Sequence, residues 1–360
     1  REVVRIVTPG TLIHSSLLQE KSNNFFACIT QVGQIFGLSI LDLSTAEFRT
    51  IEFDNKSELI NEIYRLKPSE FLVSEKLYKL EQLLFSDLKQ SFQCLINTQP
   101  DWIFDHHQAH DFLIEHFKVH NLDGFGLKAM ICGINASGAL LYYLQNHLCL
   151  DINHIQKLTS YTNSNFLSID HVSLKNLELL SPLHHRAKQN TLLEVIDETL
   201  TPMGGRLLKN WLRTPLLIKK DIENRQDAIQ LCLDKAAEKQ KIQDALNQIR
   251  DLERLIMRIA TGYASPRDLV GLRYSLEQLP LINEVTAEFK NFYFEQISQV
   301  AKQLPNVSEQ IANTITDEPP IKLTEGNVIK EGINPELDEL RVIQRDGKSW
   351  LKNYQENLRN

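Results

Sequence analysis

The sequence predicts an α/β domain with a mixed sheet over residues 25–148, followed by an all-α domain over residues 149–360. Three strand-like runs open the first domain, and helical and strand-like runs then alternate. In the second domain, apolar residues recur almost everywhere at the three- and four-residue spacing of a helix. Because 360 residues exceed the size of one ordinary domain, we expect two domains with separate cores.

An extended linker over residues 1–24 is predicted to precede the first domain, with a turn at Thr8-Pro9-Gly10. Short turns at Val32-Gly33 and Ser44-Thr45 separate the first three strands, so these strands are expected to form an antiparallel meander. The predicted strands cover residues 25–30, 34–43 and 47–53.

Alternating helices and strands complete the first domain. Pro68 stops the first helix, and the apolar residues of the second recur at helical spacing. Small residues in the last helix permit its close packing on the sheet. The predictions are a helix over 57–66, a strand over 70–73, a helix over 77–88, a strand over 92–96 and a largely apolar helix over 129–148.

The second domain contains helices whose caps are explicit in the sequence. Residues 191–194 form a capping box, in which the first and last side chains satisfy backbone amides of the first turn. Thr201 is placed to cap the next helix, with Pro202 at its first position. Gly204 and Gly205 weaken that helix by roughly 1 kcal/mol each relative to alanine, which indicates that another backbone comes close.

Later helices in this domain are marked in the same way. Ser265 is expected to cap, and Pro266 to begin, a helix that Pro280 ends. Residues 289–311 are predicted to be helical, with an interruption at Leu304-Pro305. The remaining predictions are a helix with Leu252, Leu255, Ile256 and Ile259 on one face, a break at 317–320 and a short β-like segment over 321–329.

The final segment predicts a long helix, capped by Asn334 with Pro335 at its first position. Positions from 337 to 358 repeat with alternating gaps of three and four, the spacing of a seam between helices. Because no glycine cap or proline stop follows, we expect the helix to continue in a longer protein. Leu337, Leu340, Leu351, Tyr354 and Leu358 fit the seam, whereas Gln344 and Gly347 do not.

Composition limits the class of protein. The formal charge of −7 provides no basic field of the kind that marks a nucleic-acid-binding protein. No apolar run has the length of a membrane span, and no signal peptide opens the chain. The five cysteines show no C-x-x-C spacing, which indicates reduced thiols and a cytoplasmic location.

A series of motifs that begins with VRIVTPGT (4–11), includes TPMGGRLLKNWL (201–212) and ends with GINPELDELR (332–341) is collinear over nearly the whole chain. These motifs resemble those of the MutS family of bacterial DNA mismatch-recognition proteins. NLEL, NTLL and TPMGGRLLKNWL, between residues 176 and 212, resemble the core-domain signature of that family. Together the motifs are far more specific than any single one. The others are VRIVTPGT (4–11), DGFGL (123–127), DLERLIMRIA (251–260), SPRDL (265–269) and GINPELDELR (332–341).

This resemblance implies a ribonuclease H-like connector domain followed by the helical core, or lever, domain, truncated before the DNA clamp. Complete proteins of the family form homodimers around mismatched double-stranded DNA and carry an ATPase that uses ATP and magnesium. The chain would be a middle fragment that couples ATPase state to the clamp, while its connector offers a docking surface for MutL. Since the family's dimer contacts come mainly from the ATPase region, the fragment is expected to be monomeric.

We expect this chain not to be an enzyme. It contains no G-x-x-x-x-G-K-[ST] motif, the loop that cradles nucleotide phosphates, and we predict no catalytic, cofactor-binding or metal-binding residues in it. The run NFYFE over residues 291–295 is similar to the Phe-x-Glu wedge of MutS proteins, but that wedge belongs to an N-terminal domain before residue 1. Phe292 and Phe294 are predicted instead to pack within an amphipathic helix.

An alternative hypothesis is a metal-dependent nuclease that uses Asp42. In the run LDLSTAEF, Asp42 takes the place of the first metal-binding aspartate of ribonuclease H-like nucleases. Two-metal hydrolysis needs several converging carboxylates, and the spacing of Glu70, Asp101 and Asp105 provides no defensible ligand set. The fold without the chemistry is therefore favoured.

A run rich in histidine, DHHQAHDFLIEHFKVH, could indicate a metal site. Its pairs His106/His110 and His116/His120 are each spaced by one helical turn, as metal ligands on a helix would be. The zinc-protease pattern H-E-x-x-H is absent, and the interleaved apolar residues favour an ordinary helix with a polar face.

Arg250, Arg254 and Arg258 form a stripe along one side of a predicted helix and could meet phosphates. The acids Asp251 and Glu253 lie beside them. A salt-bridged or solvated face is therefore the favoured interpretation.

Overall fold

The structure is a computed structural model that describes residues 6–183, 191–301 and 306–359. An α/β domain with one mixed sheet comes first, and the rest of the chain is built almost entirely from helices. The predicted fold class is therefore confirmed. Two predictions fall outside the described residues, namely Asn190 at the start of the NTLL motif and the interruption at Leu304-Pro305.

The sheet formed by the described residues has six strands: β1 (Phe26–Val32), β2 (Ile35–Asp42), β3 (Glu47–Phe53), β4 (Glu70–Ser74), β5 (Leu95–Gln99) and β6 (Thr159–Ser160). Their order is β5-β4-β1-β2-β3-β6. The first three strands form the predicted antiparallel meander, with Cys28 opposite Ser39. Strand β4 runs parallel to β1, β5 parallel to β4, and β6 parallel to β3.

Helices cover both faces of this sheet. Ala27 and Ile29 of β1 belong to an apolar core with three helices on one face, whereas Phe26 and Cys28 belong to a second core with two helices on the other. A slip of one residue would exchange these side chains between the cores, so burial on both faces fixes the register. The helices are α1 (Lys56–Leu66), α2 (Glu75–Leu80) and α3 (Gln82–Phe92) on the first face, and α4 (His106–Phe117) and α5 (Ile131–Tyr142) on the second.

Three boundaries in this domain differ from the prediction. The helix predicted over 77–88 is divided at Glu81, where φ is −110° and ψ is 35°, into α2 and α3. The strand predicted over 92–96 begins only at Leu95, because Phe92 ends α3 and Gln93 adopts a left-handed conformation with φ of 53°. Strand β6 was not predicted, since two residues are too few to show alternation.

The helix predicted over 129–148 is shorter and packs as closely as its small residues suggested. It begins at Ile131, after Ala129 with φ of 64°, and continues past Tyr142 as a π-helical turn over Tyr143–His147. A Cβ atom at Gly37 of β2 would lie 2.4 Å from the Cys132 carbonyl group of α5. Backbone-to-backbone contact thus holds α5 against the sheet.

Substitution of Gly138 by alanine is expected to lower the free energy of unfolding by about 1–3 kcal/mol. A Cβ atom at position 138 would lie 2.5 Å from the backbone of Ala109, so α4 and α5 would have to separate. Urea unfolding measures the change. Gly124→Ala is the matched control because no atom lies within 4 Å of its added Cβ, and equal effects of the two substitutions would contradict the close approach.

The described helices of the second domain are α6 (His171–Asn176), α7 (Leu192–Ile196), α8 (Pro202–Arg213), α9 (Lys219–Asp234), α10 (Ala236–Leu246), α11 (Leu252–Ala260), α12 (Pro266–Glu277), α13 (Leu279–Thr286), α14 (Phe292–Ala301), α15 (Val307–Thr314) and α16 (Pro335–Arg359). The predicted caps are confirmed, since Thr191, Thr201 and Ser265 each accept a hydrogen bond from an amide of the first turn. Local side-chain chemistry therefore sets these starting points.

The interrupted helix predicted over 289–311 corresponds to α14 and α15, which end and begin on either side of residues 302–305. Two other predictions for this domain are wrong. Pro280 lies in the first turn of α13 instead of ending α12, because a proline costs no hydrogen bond there. Residues 321–329 contain a 3-10 turn at Leu323–Glu325, and their β contact is the single bridge between Ile315 and Ile329.

The two phenylalanines of the NFYFE run have different environments. Phe294 packs on the buried ring of Phe289, with 4.7 Å between ring centroids, as predicted. Phe292 is 57% exposed, so its predicted packing role is wrong. Phe292 lies on the exposed side of α14. Helical periodicity in the sequence does not by itself show which face of a helix contacts a neighbouring element.

Helix α16 is capped as predicted, by a hydrogen bond of 3.2 Å from the Leu337 amide to the Asn334 side chain. The seam residues Leu340, Leu351 and Leu358 are exposed, and the side chain of Tyr354 lies outside the described atoms. Within the described ranges, no helix combines the length and the apolar character that crossing a membrane requires.

Candidate functional site at the domain junction

Asp42, the residue of the nuclease hypothesis, ends β2 and is fully buried. One carboxylate oxygen accepts hydrogen bonds from the Ser44 amide at 2.9 Å and the Ser44 hydroxyl at 2.6 Å. The other accepts from the Asn24 amide at 3.0 Å and the Asn23 side chain at 3.2 Å. Asp42 therefore binds residues 23–24 to the end of β2. Because both of its carboxylate oxygens already accept hydrogen bonds from the protein, its environment does not support the nuclease hypothesis.

The other acids considered for that hypothesis are held separately. Glu70 is buried, which raises its pKa, and accepts a hydrogen bond of 2.7 Å from the Gly10 amide. Asp101 accepts a bond from an amide at the start of α2, and Asp105 caps α4. Among the described residues, no three His, Cys, Asp or Glu side chains are grouped so that they could hold a metal ion.

The histidine run forms α4, but only one of its two predicted pairs has both histidines on this helix. The rings of His106 and His110 lie 5.9 Å apart between centroids, and His106 is hydrogen-bonded to Asn135. His116 is hydrogen-bonded to the Ile155 carbonyl at 2.7 Å. Because α4 ends at Phe117, His120 is not on the same helix as His116, and the second pair does not form a helical turn.

Of the three predicted stripe arginines, Arg254 and Arg258 belong to α11 and are salt-bridged, as favoured, whereas Arg250 precedes the helix. Arg254 also binds the chain that precedes the sheet. Arg258 pairs with Asp268 at 2.6 Å. Arg254 is 2% exposed and donates to the carbonyl oxygens of Gln19 and Ser22, at 3.0 and 2.6 Å. The segment of residues 19–24, which we call the junction segment, is thus bound by a helix of the second domain.

Arg206 of α8 is the centre of the ion pairs at this segment. Its guanidinium group makes two hydrogen bonds of 2.7 Å to Asp251, one of 2.6 Å to Glu253 and one of 2.9 Å to the Glu20 carbonyl oxygen. Burial alone would lower the pKa of Arg206, but the bonds to Asp251 and Glu253 outweigh burial and raise it. Arg206 therefore keeps its charge across the physiological pH range.

Gly205 explains why α8 tolerates a glycine pair in its first turn. A Cβ atom at position 205 would lie 2.6 Å from the aliphatic chain of Lys21. Lys21 extends past this glycine to pair with Asp197 at 3.0 Å. The close approach predicted from the glycines is real, but the approaching group is a side chain of the junction segment and not a second backbone.

A second buried cluster lies where the sheet meets the helical domain. Glu62 of α1 is 2% exposed and accepts hydrogen bonds from Arg65 at 2.7 Å and from the Tyr161 hydroxyl at 2.5 Å. Burial would raise the pKa of Glu62, but the bonds from Arg65 and Tyr161 outweigh burial and lower it. Helix α1 thereby holds the chain just after β6.

Two further contacts continue from this cluster into the second domain. The side chain of Asn61 is hydrogen-bonded to His171 at the start of α6, and the ring of His171 stacks on Tyr64 with 4.5 Å between centroids. The Leu167 amide donates to the Pro215 carbonyl oxygen at 2.8 Å. The chain after β6 is therefore hydrogen-bonded to α1 through His171 and to Pro215 through Leu167.

This junction offers little for catalysis. Its central charged groups, Arg206, Glu62 and Arg65, are buried and already paired. A general acid or base needs a titratable group within reach of a substrate, and neither Arg206 nor Glu62 provides one. The geometry is that of a stiff connection between two domains.

Both domains match known protein families. Residues 24–156 match MutS domain II, and residues 172–359 match MutS domain III. This chain belongs to the MutS family. Tyr161 lies between the two matched ranges, so the Glu62 cluster sits at the boundary of MutS domains II and III.

Curated relatives extend the same result over the whole chain. The DNA mismatch repair protein MutS of Protochlamydia amoebophila is 46% identical over 100% of this chain and 42% of its own length. That of Chlamydia abortus is 41% identical over 100% of the chain and 44% of its own length. The MutS protein of Lachnoclostridium phytofermentans is 38% identical over 98% of the chain and 38% of its own length. The chain thus spans less than half the length of these relatives.

Sequence reasoning identified the MutS family but missed the junction residues. Arg206 lies within the TPMGGRLLKNWL motif, where only its apolar neighbours and glycines were considered. The contact between Glu62 and Tyr161 carries no local signal, because the two residues lie 99 positions apart in sequence. A charged residue on an otherwise apolar helical face is the one clue that could have indicated Arg206.

Proposed function

We propose that this chain is the middle part of a longer MutS-type mismatch repair protein and acts there as a non-catalytic coupling module. The junction carries this proposal. Arg206 and Arg254 bind the junction segment, and Glu62 binds the chain beyond β6. Because each hydrogen bond to a charged group contributes about 1.5–3 kcal/mol, a displacement of the helical domain would move the α/β domain with it.

The complete protein would supply the chemistry and the other partners. ATP and magnesium would be used by a separate ATPase domain, and mismatched double-stranded DNA would be bound by a homodimer through its clamp. Helix α16, which exposes Leu340 and Leu351, would lead toward that clamp. The α/β domain would provide the docking surface for MutL, and the protein would work in the cytoplasm.

The chain alone is expected to release no phosphate from ATP and to bind matched and singly mismatched duplexes with equal affinity. The physical reason is that the buried guanidinium groups of Arg206 and Arg254 already bind acids and backbone carbonyl oxygens, so they are not available to a phosphate backbone. Phosphate release and fluorescence anisotropy measure the two properties. The full-length MutS of Protochlamydia amoebophila is the positive control on the same duplexes.

Selective binding of the mismatched duplex by the chain alone, or ATP turnover above the buffer rate, would refute the coupling proposal. Light scattering at micromolar concentration is expected to give the mass of a monomer. Capture of purified MutL by the immobilised chain tests the docking surface separately, and failure of that capture would remove the MutL role while leaving the coupling role in place.

A further inference from the structure

A cavity of about 550 Å³ lies between the two domains, beside the junction segment. It is enclosed by the end of α1, the start of β3 and one side of α8. Its lining is strongly basic, since six cationic side chains face it together with the acids Glu47 and Glu253. The cations are Lys21, Arg49, Lys67, Arg206, Lys209 and Arg213.

Half of these cations are already neutralised. Lys21 pairs with Asp197 at 3.0 Å, and Arg206 pairs with Asp251 and Glu253. Arg49 pairs with Glu47 at 2.8 Å. Both acids of the cavity wall are therefore occupied by cations of the same wall.

The other three cations, Lys67, Lys209 and Arg213, make no ion pair with any residue that the structure describes. Lys209 donates to the Ser22 hydroxyl at 2.6 Å. The Nε atom of Arg213 is buried without a hydrogen-bond partner. Buried polar atoms in proteins are almost always hydrogen-bonded, so this guanidinium nitrogen is a donor that a ligand could use.

The surroundings of these three side chains disfavour their charged forms. Burial and the neighbouring charge of Arg213 lower the pKa of Lys67 and that of Lys209. Burial, followed by the charge of Arg65, lowers the pKa of Arg213 to about 10. A bound anion would counteract this lowering of the three pKa values, because an opposite charge nearby favours the charged form of each side chain.

We propose that this cavity binds a small, multiply charged phosphate anion, held by Lys67, Lys209 and Arg213. Lys67 follows α1 of the α/β domain, whereas Lys209 and Arg213 belong to α8 of the helical domain. The bound anion therefore bridges the two domains and stiffens the junction. Arginine and lysine are the side chains that proteins use for phosphate, the former through its planar fork of donors.

Pyrophosphate fits this site better than a nucleotide does. The cavity is lined by donors, and its one aromatic side chain, Phe25, is 4% exposed and belongs to the apolar core, so no ring is free to stack on a base. The inference concerns the cavity alone and does not require the coupling role.

The experiment measures the melting temperature of the chain against pyrophosphate concentration, with sodium chloride at matched ionic strength as the reference. A saturable rise is expected with pyrophosphate, because a ligand that binds the folded state stabilises it. In Lys67→Gln and Arg213→Gln the affinity should fall about tenfold or more, since each loses a charged hydrogen bond. Without the anion, both variants should melt at or above the wild-type temperature, because a repulsion has been removed.

Lys241→Gln, at an exposed lysine of α10, is the matched control and should keep the wild-type response. A short DNA duplex at equal phosphate concentration distinguishes a free anion from a nucleic-acid backbone, and it should give no rise that depends on Lys67. The proposal is overturned if chloride reproduces the rise, if Lys241→Gln weakens binding as much as Lys67→Gln, or if the duplex replaces pyrophosphate.

Discussion

Replacement of Arg206 by methionine is expected to lower the free energy of unfolding by about 3–5 kcal/mol. Methionine keeps much of the apolar stem but leaves Asp251 without its main partner. Asp251 also caps α11, and its side chain is 16% exposed, so its charge would be partly desolvated and left with only the longer pair to Arg254 at 3.7 Å. The loss therefore exceeds that of a surface ion pair, which is about 0–1 kcal/mol.

Urea unfolding followed by circular dichroism measures this loss, and limited proteolysis reports on the junction segment. Arg206 also donates to the Glu20 carbonyl oxygen at 2.9 Å, so cleavage within residues 19–24 should become faster in the variant. Arg267→Met is the matched control, because Arg267 is exposed and makes one hydrogen bond, to the Pro319 carbonyl oxygen. The Arg267→Met substitution should lower the free energy of unfolding by less than about 1 kcal/mol.

A change of less than about 1 kcal/mol in Arg206→Met would show that the buried pairs do not hold the junction together. Unchanged cleavage within residues 19–24, despite a large loss of stability, would show that the segment is held by other contacts. Either result would remove the main support for the coupling proposal.

Glu62→Gln is expected to destabilise the protein by about 3 kcal/mol at neutral pH. The amide has the same shape as the carboxyl group but no charge, so the buried guanidinium of Arg65 would lose its ion pair. The Tyr161 hydroxyl would also lose a charged acceptor at 2.5 Å. The contact between α1 and the chain beyond β6 should therefore loosen.

The pH dependence gives this prediction a second readout. The pKa of Glu62 is lower in the folded protein than its ordinary value of 4.5. Its charge therefore stabilises the fold fully above pH values near that ordinary value, and the contribution is lost as the pH falls through the folded pKa. The difference between wild type and Glu62→Gln should be constant near neutrality and shrink in acid.

Denaturant unfolding at several pH values between neutrality and the acid limit tests this expectation. Glu58→Gln, at an exposed position of the same helix, is the control and should change stability by less than about 1 kcal/mol. A difference between wild type and Glu62→Gln that does not diminish in acid would mean that packing, and not the ionised carboxylate, stabilises the cluster.

Features that depend on a few neighbouring residues were predicted well. Thr191, Thr201 and Ser265 cap their helices because each side chain reaches an amide only two or three residues away. The β1-β2-β3 meander follows similarly from short turns and strand-forming runs. Pro280 was assigned to the wrong side of a helix boundary, because proline can end one helix and also begin another.

The candidate site was much less predictable than the fold. Asp42 attracted attention by its position in the motif, yet its four donors include residues 18 and 19 positions away in sequence. The function of Arg254 as a ligand of the junction segment depends on carbonyl oxygens 232 and 235 positions away. No local pattern records such pairings.

The sequence by itself determined the MutS family, the order of the two domains and most helix starts, because motifs and caps are properties of contiguous residues. Tertiary structure alone decided that Arg206, Glu62 and Tyr161 join the domains, and that Lys67, Lys209 and Arg213 face one cavity. The physical reason is that burial and the distance between charges set the strength of an electrostatic interaction. Both quantities exist only once distant parts of the chain have been brought together.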